Sequence, residues 1–132
     1  MLHDDVVALA KHRLQQAHDC LKLAEAAIGI AYYKGAANRS YYAVFHCMRA
    51  VLAFDNYDSK KHSGIIAAFR QRYIKTGKFP AHFSKIIGSI FELRTDSDYE
   101  DFYVVSKEAI NLQFENAKAF YDTTEEYISK LI

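Results

Sequence analysis

Residues 36–54, AANRSYYAVFHCMRAVLAF, limit the possible folds more than any other part of this chain. Their periodicity is helical, yet apolar side chains occupy most of the circumference rather than one stripe. Such a helix has to be covered on several sides, so the rest of the chain must supply the cover. Two long segments have the complementary pattern. Val6, Ala10, Leu14, Ala17, Leu21, Ala24 and Ile28 recur at steps of three and four, with Lys11, Gln15, Asp19, Lys22 and Glu25 on the opposite face. Ile110, Phe114, Ala117, Tyr121, Thr124, Ile128 and Leu131 repeat that stripe near the C-terminus. Each of these segments is an amphipathic helix with one face to give to the buried one.

Two shorter helices are expected between them. Ser63 is placed to cap a third helix through Ile65, Ile66, Phe69 and Tyr73. Pro80 suits the first position of a fourth helix running to about Arg94. Ser106 caps the last helix, with Glu108 in its first turn. Gly35 separates the first helix from the second, and residues 55–59 (DNYDS) carry turn chemistry. Residues 95–103 (TDSDYEDFY) read as an acidic, aromatic loop. No segment alternates with period two, and no repeat or linker divides the 132 residues. The expected fold is therefore all-α: a single-domain, up-and-down bundle of four to five helices spanning residues 1–132.

Composition narrows the partners. Seventeen Lys and Arg against sixteen Asp and Glu leave a net charge of +1, so any nucleic-acid contact must come from a local patch. Recognition of a DNA sequence is not expected. Cys20 and Cys47, the two cysteines, lie on core-facing positions and lack metal-type spacing, which fits a reducing compartment. The acidic start Met1-Leu2-His3-Asp4-Asp5 has no uninterrupted apolar run of a signal peptide, and no stretch is long enough to span a membrane. The expected location is cytoplasmic.

Asn38, Arg39, His46 and Arg49 are conspicuous on so apolar a helix. Arg39 and His46 are seven residues apart, nearly two turns, so they point the same way, with Tyr42 on that face between them. A guanidinium can hold a phosphate and stabilise the charge of a pentacoordinate transition state. An imidazole can move a proton near neutral pH. Cleavage by a ribose 2′-OH needs both a base and an acid, and one such His cannot be both at once. If the face is catalytic, two copies of it should meet in a dimer. The competing reading is that His46, flanked by Val44, Phe45, Cys47 and Met48, is a core residue. Lys60, Lys61 and His62 form a basic step that is either an RNA-facing patch or a solvated turn. Asp96, Asp98, Glu100 and Asp101 lack the glycine and distal Glu of a calcium loop, and no metal site or cofactor is expected.

The stretch Ala37-Asn38-Arg39-Ser40-Tyr41-Tyr42-Ala43-Val44-Phe45-His46 resembles the signature of the HEPN family (higher eukaryotes and prokaryotes nucleotide-binding domain), in which an Arg is followed after a short gap by a His. Here the gap is six residues, at the long end of the family's range. The resemblance continues through Lys61-His62-Ser63-Gly64, the Thr76-Gly77-Lys78-Phe79-Pro80 turn, Glu92-Leu93-Arg94 with Asp98-Tyr99, and the closing helix from Ser106-Lys107-Glu108. Together these are similar to the small stand-alone HEPN proteins of archaea and bacteria.

The resemblance implies a helical bundle that pairs as a homodimer around the motif helix. It also implies a metal-independent endoribonuclease of toxin–antitoxin type, partnered by a minimal nucleotidyltransferase antitoxin. Arg39 would hold the scissile phosphate and His46 would act as acid or base. From position and not from the resemblance, Asn38 beside the Arg, Tyr42 on the same face, and Lys61 and His62 of the basic step are the expected contacts to RNA or a nucleotide. The alternative is a non-catalytic nucleotide- or partner-binding module working with the nucleotidyltransferase. Two positions depart from the family pattern. Ser40 follows the Arg where nuclease members carry Asn, Asp or His. Met48 stands where some relatives carry a Tyr that the partner modifies, so Tyr41 or Tyr42 would have to take that role.

Overall fold

Helix α2 (Tyr33–Leu52) is the axis of the bundle. It packs against all four other helices: α1 (His3–Gly29), α3 (His62–Phe69), α4 (Phe83–Tyr99) and α5 (Lys107–Ser129). This computed structural model describes residues 3–132, so Met1 and Leu2 of the N-terminal reading lie outside the described residues. Among the described residues there is no strand, and the all-α up-and-down bundle expected from the periodicity is the observed architecture. Twelve of the twenty residues of α2 are buried. The surrounding helices give it their apolar stripes. On α1, Val6, Ala10, Ala17, Leu21 and Ala24 are buried, with Leu14 and Ile28 half-buried at the margins. Many of these contacts are alanines, and Ala36, Ala37, Ala43 and Ala50 answer them from α2, so the two backbones can approach closely.

The α1–α2 turn differs from the expectation that Gly35 would mark it. Helix α1 ends with Ala31 in the left-handed region (φ 58°). The Ala31 N–H donates to the Ile28 carbonyl (3.0 Å) and the Tyr32 N–H to the Ala27 carbonyl (2.7 Å), the paired bonds of a Schellman cap. Gly35 instead lies inside the first turn of α2. A Cβ there would stand 2.6 Å from the ring of Tyr32, so the glycine makes room for that ring to fold back over the turn.

Helix α3 begins at His62, one residue before the expected cap, with Lys61 extended at the cap position and no side-chain cap. It runs into a π-turn at Arg70–Ile74 that keeps Phe69 and Tyr73 buried and ring-stacked (5.5 Å). Pro80 starts a turn of i→i+3 bonds rather than the helix itself, and α4 begins three residues later. At its other end α4 extends through residues 95–99, which were expected in the loop. Thr, Asp and Ser are poor helix formers, but bonds within α4 and a contact to α2, from the Asn38 amide to Asp98 Oδ2 (3.4 Å), hold them helical here. Ser97 is buried with its hydroxyl bonded to the Leu93 carbonyl (2.6 Å), and Arg94 pairs with Asp98 one turn on. Ser106 caps α5 as expected, accepting from the Ala109 N–H at 3.0 Å. Phe120 of α5 then closes the far end of the core against Phe69, Phe79 and Phe83.

Because Phe120 is fully buried in this aromatic cluster, Phe120→Ala is expected to lower the unfolding free energy by about 3–5 kcal/mol. Leu112→Ala, on the exposed face of the same helix, should change it by less than about 0.5 kcal/mol. Urea denaturation of both variants checks the pair.

Candidate active site

Between Asn38 and Leu52, the residues of α2 that are not buried are Asn38, Arg39, Tyr42, His46 and Arg49. From Arg39 onward they follow steps of three, four and three, so they form one line along a helix closed on every other side. Over this span the packing of the bundle leaves a single open stripe, and the charged and titratable side chains Arg39, His46 and Arg49 are on it.

At the N-terminal end of the stripe, Arg39 is held by its neighbour. Its Nε and Nη2 both donate to Asn38 Oδ1, at 2.9 and 2.6 Å, and its Nη1 points to Cys20 Sγ at 3.8 Å. The guanidinium also lies over the Tyr42 ring, 5.1 Å from its centroid. Asn38 in turn donates to Asp98 Oδ2 (3.4 Å). From α4, Arg94 joins this group: its Nη2 donates to the Tyr42 hydroxyl (3.3 Å) and its Nε lies 2.9 Å from Asp98 Oδ2. The Arg94 Nε–H is not aimed along that approach, so the contact is an ion pair rather than a hydrogen bond. Extending α4 past the expected boundary is what brings Asp98 to the site. The Arg94–Asp98 spacing of four residues was a legible signal only once those residues were read as helix.

Ser40, the polar residue following the Arg, points away from the stripe. It is fully buried and its hydroxyl has no partner among the described residues. Support for Arg39 comes from Asn38, on the other side in sequence. Met48 is likewise fully buried, as is Tyr41 apart from 1% of its surface, whereas Tyr42 is partly open.

His46 sits in the middle of a cationic surround. Burial lowers its pKa, and Arg49, Arg39, Arg13 and His12 push it further down, to about 4. Its Nδ1 is buried without a partner among the described residues. At neutral pH the imidazole is therefore uncharged, able to accept a proton but only weakly basic. Arg13, from the middle of α1, is the residue that periodicity could not assign: it is 6% exposed on a face made mostly of alanine. It donates to the Arg49 carbonyl (3.0 Å) and pairs with Asp58 Oδ2 (3.2 Å), the same oxygen that takes Arg49 at 3.1 Å.

Of the expected contacts outside α2, His62 joins the group and Lys61 does not. The His62 ring lies 4.1 Å from Phe45 and 5.8 Å from Tyr42, and its Nδ1 is 2.8 Å from the Tyr41 hydroxyl. His46 touches the same two rings, 6.0 Å from each. Burial lowers the His62 pKa, helped by Arg94 and Arg49. Lys61 is exposed, and its side chain makes no bond to these residues. Asp96, Glu100 and Asp101 line a separate depression with Tyr99 and Phe102. Among the described residues no group of three or more His, Cys, Asp or Glu has metal-binding geometry.

A histidine whose folded pKa lies below its unfolded value binds fewer protons when folded, so its contribution is complete above about pH 6.5 and declines as pH falls toward 4. His62 acts in the same direction. Unfolding free energy should therefore fall between pH 6.5 and 4, and His46→Gln should flatten that slope. Chemical denaturation across this range measures it.

The HEPN domain family model matches residues 10–127, which include the whole stripe, Arg94 and α5 almost to its end. A protein of Thermotoga maritima named only as a UPF0332 protein is 32% identical over 117 residues, 89% of each chain. Two Methanocaldococcus jannaschii proteins named "putative toxin" are each 26% identical; one alignment covers 100% of this chain and 98% of the relative, the other 87% and 78%. With the family model spanning nearly all of the bundle and the motif residues gathered on its one open face, this chain belongs to the HEPN domain family.

Proposed function

We propose that this HEPN protein is a toxin-like, metal-independent endoribonuclease acting at a site that Arg39 and His46 form across a homodimer. The single open stripe of α2 carries this reading: the bundle covers the rest of that helix and leaves out the guanidinium and imidazole that phosphoryl transfer to a 2′-OH requires. Neutral His46 takes the proton of the ribose 2′-OH. The 2′ oxygen forms a bond to phosphorus while the bond from phosphorus to the 5′ oxygen breaks, and that oxygen leaves with a proton. The products are a 2′,3′-cyclic phosphate and a 5′-OH. Arg39, oriented by Asn38, stabilises the charge on the phosphoryl oxygens. His46 of the second copy gives the leaving oxygen its proton, once the phosphate between the two copies has offset the arginines that add to the effect of burial on it. The toxin names of two relatives support the biological setting, in which a minimal nucleotidyltransferase would be the neutralising partner in the cytoplasm.

A second reading is a non-catalytic module that binds a nucleotide or a nucleotidyltransferase. It has one observation in its favour: Asn38 already engages two of the donor nitrogens of Arg39, while Ser40 gives the site no support.

Incubation of varied RNAs with the wild type in EDTA separates the two. Cleavage to 2′,3′-cyclic phosphate ends is expected, with His46→Ala losing about 10²–10⁴-fold in rate and Arg39→Ala a comparable factor. The acid limb of kcat/KM should lie well below pH 6.5, since the free base titrates near 4. No cleavage by a dimeric wild type, with nucleotide binding intact, would select the second reading. Strict dependence on a metal would reject the mechanism.

A further inference from the structure

Beyond His46 the stripe runs into a cleft of about 570 Å³ lined by Phe45, Arg49, Asp58, Ser59, Lys60 and His62. Its acceptors are already engaged. Asp58 Oδ2 receives both Arg13 and Arg49, and Asp58 Oδ1 receives the Ser59 N–H at 2.8 Å. Ser59 Oγ accepts the Lys61 N–H at 3.2 Å. The hydroxyl of buried Tyr41 pairs with His62 Nδ1 at 2.8 Å, and in the tautomer where the hydroxyl donates, neutral His62 carries its proton on Nε2.

The groups left over are donors: the Lys60 ammonium, the remaining N–H groups of Arg49, the Ser59 hydroxyl proton and His62 Nε2–H. One carboxylate facing two guanidiniums leaves the Arg13–Arg49–Asp58 group with a net positive charge, to which Lys60 adds. The wall of the cleft also depends on a close approach. A Cβ on Gly64 would stand 2.5 Å from Ser59 Oγ, so glycine at that position allows the Ser59 loop to lie against the start of α3. A cleft whose one carboxylate is already paired, and whose cations outnumber it, fits an anion rich in acceptors. Arg49 follows His46 by three residues, about 4.5 Å along the helix axis, so the cleft adjoins the reacting centre.

We infer that this cleft is a second phosphate subsite, holding the phosphodiester next to the scissile one on the RNA strand through Arg49, Lys60, Ser59 and His62. It rests on the reading that RNA lies along the stripe, and it adds that the enzyme needs a strand longer than the two nucleotides that are cut apart. The ligand's phosphate chemistry is shared with a free nucleotide, which the test below separates from RNA.

Fluorescence anisotropy with a 2′-O-methyl oligoribonucleotide reads the subsite without any cleavage. Wild type, Lys60→Gln, Arg49→Gln and the double variant are titrated over a series of salt concentrations. Because a single strand contributes a slope of about −0.7 in log K against log salt per phosphate contacted, losing one phosphate contact should make the slope shallower by about 0.7. The double variant should bind at least about tenfold more weakly at low salt, while His46→Ala keeps the wild-type slope. Lys60 is exposed and makes no hydrogen bond or ion pair among the described residues, so its variant remains informative if Arg49→Gln unfolds. An unchanged slope and affinity in Lys60→Gln and in any folded Arg49 variant overturns the subsite. So does competition by adenosine monophosphate at the affinity of the oligonucleotide, which would make this a mononucleotide site. Cleft-dependent binding without cleavage of unmodified RNA supports the subsite and rejects the nuclease. Cleavage that needs His46 but is indifferent to these variants does the reverse, and no binding by the wild type rejects both.

Discussion

The burial of α2 by four neighbours is the constraint on which the rest of the molecule depends. A helix covered on all but one line has no choice about where its polar residues go. Any guanidinium or imidazole placed elsewhere on it would lose its water with nothing in exchange. Arg39, Tyr42, His46 and Arg49 therefore lie in register because the core excludes them from other positions, and that same core holds their backbone rigid. Site geometry and fold stability come from one packing arrangement. The alanines that bring α1 close to α2 also bring in Arg13, whose guanidinium reaches across to the Arg49 carbonyl and to Asp58.

That proximity explains the chemistry of His46. Burial alone disfavours its charged form, and three arginines within electrostatic reach add to the effect. The site is thus built with more positive charge than its carboxylates neutralise, and its histidine is held in the uncharged form. An anion entering such a site meets oriented donors and at the same time makes protonation of the histidine easier. On the proposed function, binding and proton transfer are linked through one field rather than through separate groups.

Much of this was legible in the sequence. The stripes of α1 and α5 and the all-round apolar pattern of α2 determine the bundle, and Ser106 marks the start of α5 from its chemistry alone. Arg39, Tyr42 and His46 fall on one face by spacing. What local pattern could not supply was any contact made across elements. Residues 95–99 carry turn-forming side chains, yet they are helical, with Ser97 buried in the bundle and Asp98 accepting from Asn38 of α2. Arg13 appears to interrupt an apolar stripe until Asp58, 45 residues away, is placed beside it. Gly35 and Gly64 were read as punctuation or as part of a motif, whereas each makes room for a side chain from a preceding segment, Tyr32 and Ser59.

The near-neutral composition leaves any contact with a polyanion to a local patch. A net charge of +1 says nothing about how the charges are distributed. Arg13, Arg39, Arg49, Arg94 and Lys60 gather around the stripe and its cleft, and the carboxylates that contact them are Asp58 and Asp98. Much of the opposing charge lies elsewhere, in Glu100 and Asp101 after α4 and in Glu115, Glu125 and Glu126 on α5. At physiological ionic strength fields fade over about 8 Å, so a polyanion at this face responds to the local excess and not to the sum. A protein arranged in this way attracts no nucleic acid over long distances. On the proposed function it holds a phosphate only where several donors converge, on the side of α2 that the bundle leaves open.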